Sequence, residues 1–322
     1  MSKPVVYITR KIPEALLEPY KEELQFNMWS SEQTPVPEEV LYEEIKQAQA
    51  MLCLLTEKIN NQFLTYASHL KIIANMAVGF DNIDVVGARK QGIIVTNTPD
   101  VLTETTADLT FTLLCTTARR IIEANHTIQE DEWGDWSPFM LAGSDIYAKK
   151  IGIIGMGRIG EAVARRAKGF NMDILYHNRR QNVKLEEELD ATYLSFHDLL
   201  NEADFIVSLV PLTNETADMF NEDTFRQMKS SAIFINVSRG GVVDEDALYH
   251  ALKNGVIKAA GLDVFKKEPI DSTHPLASLP NAVLLPHIGS ATINTRNKMI
   301  QLCLDNIHAV LKGNRPITQV NK

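Results

Sequence analysis

The chain has 322 residues, 45% of them apolar and 23% charged, which fits a soluble globular protein of two domains and excludes a disordered one. A net charge of −9 argues against nucleic acid as a partner, although an acidic surface still accommodates a local basic pocket for a small anion. No apolar run is long enough for a membrane span or a signal peptide, and the three cysteines (Cys53, Cys115, Cys303) lie too far apart for a zinc site or a disulfide framework, so a cytoplasmic protein is expected.

Short apolar runs alternate with helical periods, the pattern of a parallel α/β sheet. Strands are expected at 5–9, 51–55, 72–76 and 93–97. A helix is expected over 37–50, where Val40, Leu41, Ile45 and Ala48 recur at helical spacing behind Pro35 and Pro37. Leu109, Leu113 and Leu114 predict one long buried helix over 103–124. An irregular segment over 126–147 follows, whose Trp133 and Trp136 suggest a subunit contact. A second series predicts strands at 150–154, 173–177, 205–210, 232–237, 259–264 and 283–286. The last helix spans 293–311, with Met299, Leu302, Cys303, Ile307 and Val310 along one side. Pattern alone gives two consecutive domains.

The sharpest local signal is Gly155-Met156-Gly157-Arg158-Ile159-Gly160, which follows an apolar strand and opens a helical period. The spacing is weak by itself, but its context is that of a dinucleotide site. Gly155 makes the tight turn, Gly157 admits a pyrophosphate close to the backbone, and Gly160 lets helix and strand pack together. Phosphate then meets the free N–H groups of the helix start. About 20 residues further on, an NAD site usually carries an acid for the ribose hydroxyls. Here the residues are Asn178, Arg179 and Arg180. Guanidinium groups pair with a 2′-phosphate that a carboxylate would repel, so NADPH is expected in preference to NADH.

Three later segments end strands of the second series. They are Asn236-Val237-Ser238-Arg239-Gly240-Gly241-Val242-Val243-Asp244-Glu245, Asp263-Val264-Phe265-Lys266-Lys267-Glu268-Pro269 and Pro286-His287-Ile288-Gly289-Ser290. Ligands of open α/β sheets bind beyond the carboxyl ends of strands, which is where Arg239, Glu268 and His287 should converge.

With these motifs in this order, the chain resembles the D-2-hydroxyacid dehydrogenases over nearly its whole length. Within that family it is most similar to the glyoxylate/hydroxypyruvate reductase branch, which includes 2-ketogluconate reductases. The resemblance implies two Rossmann/flavodoxin-like lobes with parallel sheets and a cleft between them. A cofactor lobe (101–287) would be inserted into a substrate lobe (1–100 plus 288–322). It implies Arg239, Glu268 and His287 as the catalytic triad, and backbone N–H groups around Val78 and Gly79 as the grip on the substrate carboxylate, with Ser290 close to the substrate. Pro211, Val237 and Asp263 match positions that flank the cofactor. A homodimer is expected on the same ground, with Trp136 directed toward the partner. The absent acid at Asn178 departs from NAD-using members and agrees with NADPH-using reductases.

The chemistry is consistent with those roles. Reducing a 2-oxo acid to a D-2-hydroxy acid needs a hydride on the carbonyl carbon and a proton on the developing alkoxide. A protonated imidazole at His287 supplies the proton, and a carboxylate beside it favours and orients that cation. Arg239 polarises the carbonyl with a planar fork that lysine lacks. Two other readings share the fold: a non-catalytic NAD(H)-binding sensor or co-repressor, and an NAD-dependent enzyme such as phosphoglycerate dehydrogenase. The intact triad argues against the first, and the expected lack of a regulatory domain against the second. Glu268 also argues against formate dehydrogenases, which use glutamine there. Glyoxylate, hydroxypyruvate and 2-ketogluconate all carry the oxo-carboxylate these groups recognise.

Overall fold

The computed structural model describes residues 2–321, and the chain forms two compact units. One comprises the residues up to Leu102 together with those from Ala291 onward; the other is Thr103–Ser290.

In the first unit the order is β1 (Val5–Ile8), β2 (Gln25–Met28), α1 (Glu38–Ile45), β3 (Ala50–Cys53), α2 (Asn61–Tyr66), β4 (Ile72–Asn75), α3 (Val85–Lys90) and β5 (Ile94–Thr96). The five strands are parallel in the order β2-β1-β3-β4-β5. Every residue of β3 and β4 is buried, as expected of central strands covered on both faces. Caps set the helix starts: Asn60 accepts from Phe63 N, and Asp84 accepts from Gly87 N at 2.8 Å.

The second unit begins with α4 (Thr103–Ala118) and α5 (Ile121–Gln129), and continues through β6 (Lys150–Ile154), α6 (Arg158–Gly169), β7 (Asp173–His177), α7 (Val183–Leu189), β8 (Ala191–Tyr193), α8 (Phe196–Glu202), β9 (Phe205–Ser208), α9 (Glu222–Gln227), β10 (Ile233–Asn236), α10 (Glu245–Lys253), β11 (Ala259–Leu262) and β12 (Ala282–Leu284). Its seven strands are parallel in the order β12-β11-β10-β9-β6-β7-β8. The last helix, α11 (Ile293–Leu311), packs on β3 and β4 and so belongs to the first unit. Its buried side carries Met299, Cys303, Ile307 and Val310 as expected, with Ile300 and Leu304; Leu302 is only half-buried.

Two expectations need correction. The single helix over 103–124 is in fact α4 and α5, separated by a left-handed Arg120 (φ +54°). Ala118 O accepts from Ser144 N at 2.8 Å, and a Cβ on Gly143 would lie only 2.3 Å from that oxygen. The returning loop therefore docks where a continuous helix would have run. The 126–147 segment is also not wholly irregular, because α5 runs on to Gln129. Of the cysteines, Cys53 and Cys303 are buried, whereas Cys115 is half-buried.

Candidate active site

The first loop of the nucleotide half is set by three glycines with different tasks. Gly155 has φ +101°, and a Cβ there would come within 2.7 Å of Leu209 C, so only glycine fits. A Cβ on Gly160 would lie 2.6 Å from Gly155 O, which enforces close helix–strand packing. Gly157 is different: a Cβ would meet nothing within 4 Å. Its φ of −94° is open to any residue, so neither packing nor backbone demands a glycine there. What the bare position leaves is room against the start of α6, whose N-cap makes no side-chain hydrogen bond. The N–H groups of Arg158, Ile159 and Gly160 head that helix, the arrangement that receives a phosphate. These residues fit a dinucleotide.

At the end of β7, Asn178 Oδ1 accepts from Met156 N at 2.8 Å and its Nδ2 donates to Met156 O at 3.1 Å. The amide thereby ties the glycine loop to the strand end. Arg179 and Arg180 are exposed beside it; the Thr213 hydrogen bond holds Glu215 below the usual carboxylate range, and the charge of Arg179 adds a smaller push the same way. Pro211 is exposed, and Val237 is buried with Cγ1 3.5 Å from where a Gly289 Cβ would stand.

His287 and Glu268 meet directly. Nδ1 of His287 lies 2.8 Å from Oε2 of Glu268, while Glu268 Oε1 accepts from Phe265 N at 2.9 Å. Burial pushes the Glu268 carboxyl up. The hydrogen bond and charge of His287, the Phe265 N–H and the nearby Arg239 charge outweigh it and hold the group below its ordinary value. An ionised carboxylate only accepts, so Nδ1 carries the proton of this bond. Nε2 is the ring nitrogen this bond leaves over. Arg239 follows β10 and donates through Nη1 to Ser238 O at 2.9 Å. A Cβ on the next residue, Gly240, would lie 1.8 Å from Phe265 C, so the Arg239 loop is pressed on the loop that carries Glu268.

His287 sits in the left-handed region (φ +54°), unusual for a non-glycine residue. Fully buried Asp263, just past β11, explains how it is held. Its two oxygens accept from Ile288 N and Gly289 N, each at 2.8 Å. Burial drives the Asp263 carboxyl from 3.8 up to about 6, against the two N–H groups and the His287 charge. The sequence reading attached Asp263 to the cofactor and missed this structural role, which becomes visible only when the turn is built. Ser290 is half-buried at the end of the same turn.

In the first unit, Val78 and Gly79 lie half-exposed in the loop after β4. A cavity of about 660 Å³ in the second unit is lined by Thr117, Arg120, His126, Lys258 and Asn281 among others, and by none of the candidate residues.

A glycine turn, an uncapped helix start and an imidazole–carboxylate pair on one parallel sheet define a dinucleotide-dependent oxidoreductase. Residues 111–289 match the family model described as "D-isomer specific 2-hydroxyacid dehydrogenase, NAD binding domain". A glyoxylate reductase of Thermococcus kodakarensis is 49% identical across 99% of this chain and 97% of its own. That of Pyrococcus horikoshii is 47% identical across 99% and 96%. Among solved structures, a protein of Thermus thermophilus superposes with TM-score 0.92 at 39% identity, covering 98% of this chain and 99% of its own. An NADPH-dependent glyoxylate/hydroxypyruvate reductase of Sinorhizobium meliloti, in complex with NADP and malonate, does so with TM-score 0.86 at 34% identity, covering 99% and 97%. The chain belongs to the D-isomer specific 2-hydroxyacid dehydrogenases, whose cofactor is a nicotinamide dinucleotide.

Proposed function

We propose that this protein is an NADPH-preferring reductase of glyoxylate and related small 2-oxo acids, among them hydroxypyruvate and 2-ketogluconate. The observation that carries the reading is the His287–Glu268 pair, held beside Arg239 at the carboxyl edge of the nucleotide-binding sheet. The names of the full-length relatives support the substrate class.

The nicotinamide cofactor, when bound, supplies a hydride. The α6 start and Gly155, Gly157 and Gly160 would hold its pyrophosphate, Arg179 and Arg180 would take the 2′-phosphate, and Pro211, Val237 and Asp263 would flank the cofactor. His287 gives a proton from Nε2 to the substrate oxygen while Glu268 steadies the imidazolium. Arg239 polarises the carbonyl, and Val78 and Gly79 offer N–H groups to the carboxylate. Asp263 fixes the turn from which His287 acts.

A homodimer forms through the α5 segment and the loop beyond it in this reading. Ile121, Ile128, Trp133, Trp136 and Phe139 are each more than half exposed there, too much apolar surface to leave in water, and the 660 Å³ cavity adjoins it. Free cysteines and the lack, among the described residues, of a helix able to cross a membrane support a cytoplasmic setting.

The test is NADPH oxidation, followed by its absorbance, with glyoxylate, hydroxypyruvate and 2-ketogluconate as substrates. Turnover with at least one of them, and a higher kcat/KM with NADPH than with NADH, is expected. No turnover with any of them contradicts the proposal.

A further inference from the structure

We infer that Asn75 and Asn97 are positioning residues that set the direction of three successive backbone N–H groups, those of Val78, Gly79 and Phe80, and thereby the affinity of this loop for a carboxylate. The inference deepens the reading above, in which the loop holds the substrate carboxylate, and rests on it.

Three carbonyls in a row are fixed. Ala77 O accepts from Thr98 N at 2.9 Å, Val78 O from Asn97 Nδ2 at 2.8 Å, and Gly79 O from Asn75 Nδ2 at 2.8 Å. Every peptide here is trans, so each carbonyl and the N–H of the next residue share one rigid plane and point opposite ways. Fixing these oxygens therefore aims the N–H groups of Val78, Gly79 and Phe80. None of the three has an acceptor among the described residues. Successive N–H groups in a bent loop, such as the one that begins with the bend at 76–78, are the groups from which backbone anion sites are built.

The amides that hold them are themselves braced. Asn75 is fully buried at the end of β4, and its Oδ1 takes the Cys53 thiol at 3.7 Å. Asn97, 9% exposed just past β5, accepts through its backbone oxygen from Thr318 Oγ1 at 2.6 Å. A buried amide is satisfied by any carbonyl within reach. These two, from neighbouring strands, take consecutive carbonyls of one loop and leave its N–H groups turned away. Without them the peptide planes rotate more freely, and a bound carboxylate must then order them.

The experiment compares Asn97→Ala and Asn75→Ala in the full chain, with KM for glyoxylate, the inhibition constant of oxalate, kcat and KM for NADPH as readouts. Both glyoxylate KM and oxalate inhibition constant should rise together by about tenfold, the loss of one ordinary hydrogen bond's worth of order. kcat should change far less, and NADPH KM should stay at the wild-type value. A generally damaged fold would move NADPH KM and the melting temperature as well; where alanine does not fold, serine at the same position is tested. Folded variants with unchanged glyoxylate KM and oxalate inhibition overturn the inference. Val78→Pro removes one N–H without touching either amide. If it weakens glyoxylate and oxalate while the asparagine variants do not, the loop reading stands and the positioning role falls. If Val78→Pro folds and changes neither constant, the carboxylate reading falls and the inference with it.

Discussion

Glu268 and His287 are joined by a 2.8 Å hydrogen bond that consumes Nδ1 of the imidazole and leaves Nε2 as its remaining nitrogen. Glu268 is fixed from its other side by Phe265 N, so the carboxylate cannot follow the ring if it swings without breaking that second contact.

Glu268→Gln keeps the size of the side chain and removes its charge. The ring keeps a partner but loses the carboxylate that stabilises its cation. We expect kcat to fall by about 10–100-fold with KM for NADPH unchanged, because in the proposed mechanism the group acts on the proton donor. Steady-state kinetics at several pH values checks this, and a wild-type pH profile in the variant argues against the pairing.

In the function proposed above, Arg179 sets the choice of cofactor. Arg179→Asp replaces a charge that attracts the 2′-phosphate by one that repels it, and the exposed position lets the fold tolerate the change. The NADPH-to-NADH ratio of kcat/KM should fall by roughly 10–100-fold, as for the loss of one charge-assisted hydrogen bond. An unchanged ratio refutes the assignment.

Gly157 and Gly155 make a matched pair. Gly157→Val places a Cβ where nothing stands within 4 Å of it, so the melting temperature should hold while KM for NADPH rises by about tenfold or more. Gly155→Val places a side chain 2.7 Å from Leu209 C at a φ of +101° and should destabilise the fold itself. Thermal melts beside cofactor titrations separate the two effects.

The raised Asp263 carboxyl has a consequence for stability with a definite sign. The folded chain holds its proton more tightly than the unfolded chain, so its stabilising contribution is complete below about 3.8 and is lost as pH rises through about 6. Keeping the group ionised at neutral pH therefore costs stability. Asp263→Asn does not titrate. Wild-type stability relative to this variant should therefore fall between about pH 4 and about pH 6 and level off above, as read by urea unfolding. A difference independent of pH contradicts the account.

Much of this was legible in the residues. Strands β6 and β7 and helix α11 fall where periodicity puts them, the strands as short apolar runs between clear breaks and the helix as an apolar side recurring at helical spacing. Strands β2 and β8 escaped notice. Both are sheet edges, the one mostly half-buried and the other three residues long, so neither carries a strong apolar signature. The break at Arg120 depends on a loop that returns from Ser144 to Ala118, which no local pattern contains. At the site, the imidazole, carboxyl and guanidinium were readable from motif order. The partnership of Asp263 with Ile288 and Gly289, and that of Asn97 with Val78, were not, because each joins distant segments through backbone atoms whose chemistry is the same in every sequence.

The account turns on His287 as proton donor, and single-turnover reduction of glyoxylate by His287→Ala with NADPH tests it most directly. The rate should fall by about 10²–10⁴-fold while the dissociation constant of NADPH stays at the wild-type value. A rate close to wild type would remove the imidazole from the reaction and contradict the assignment.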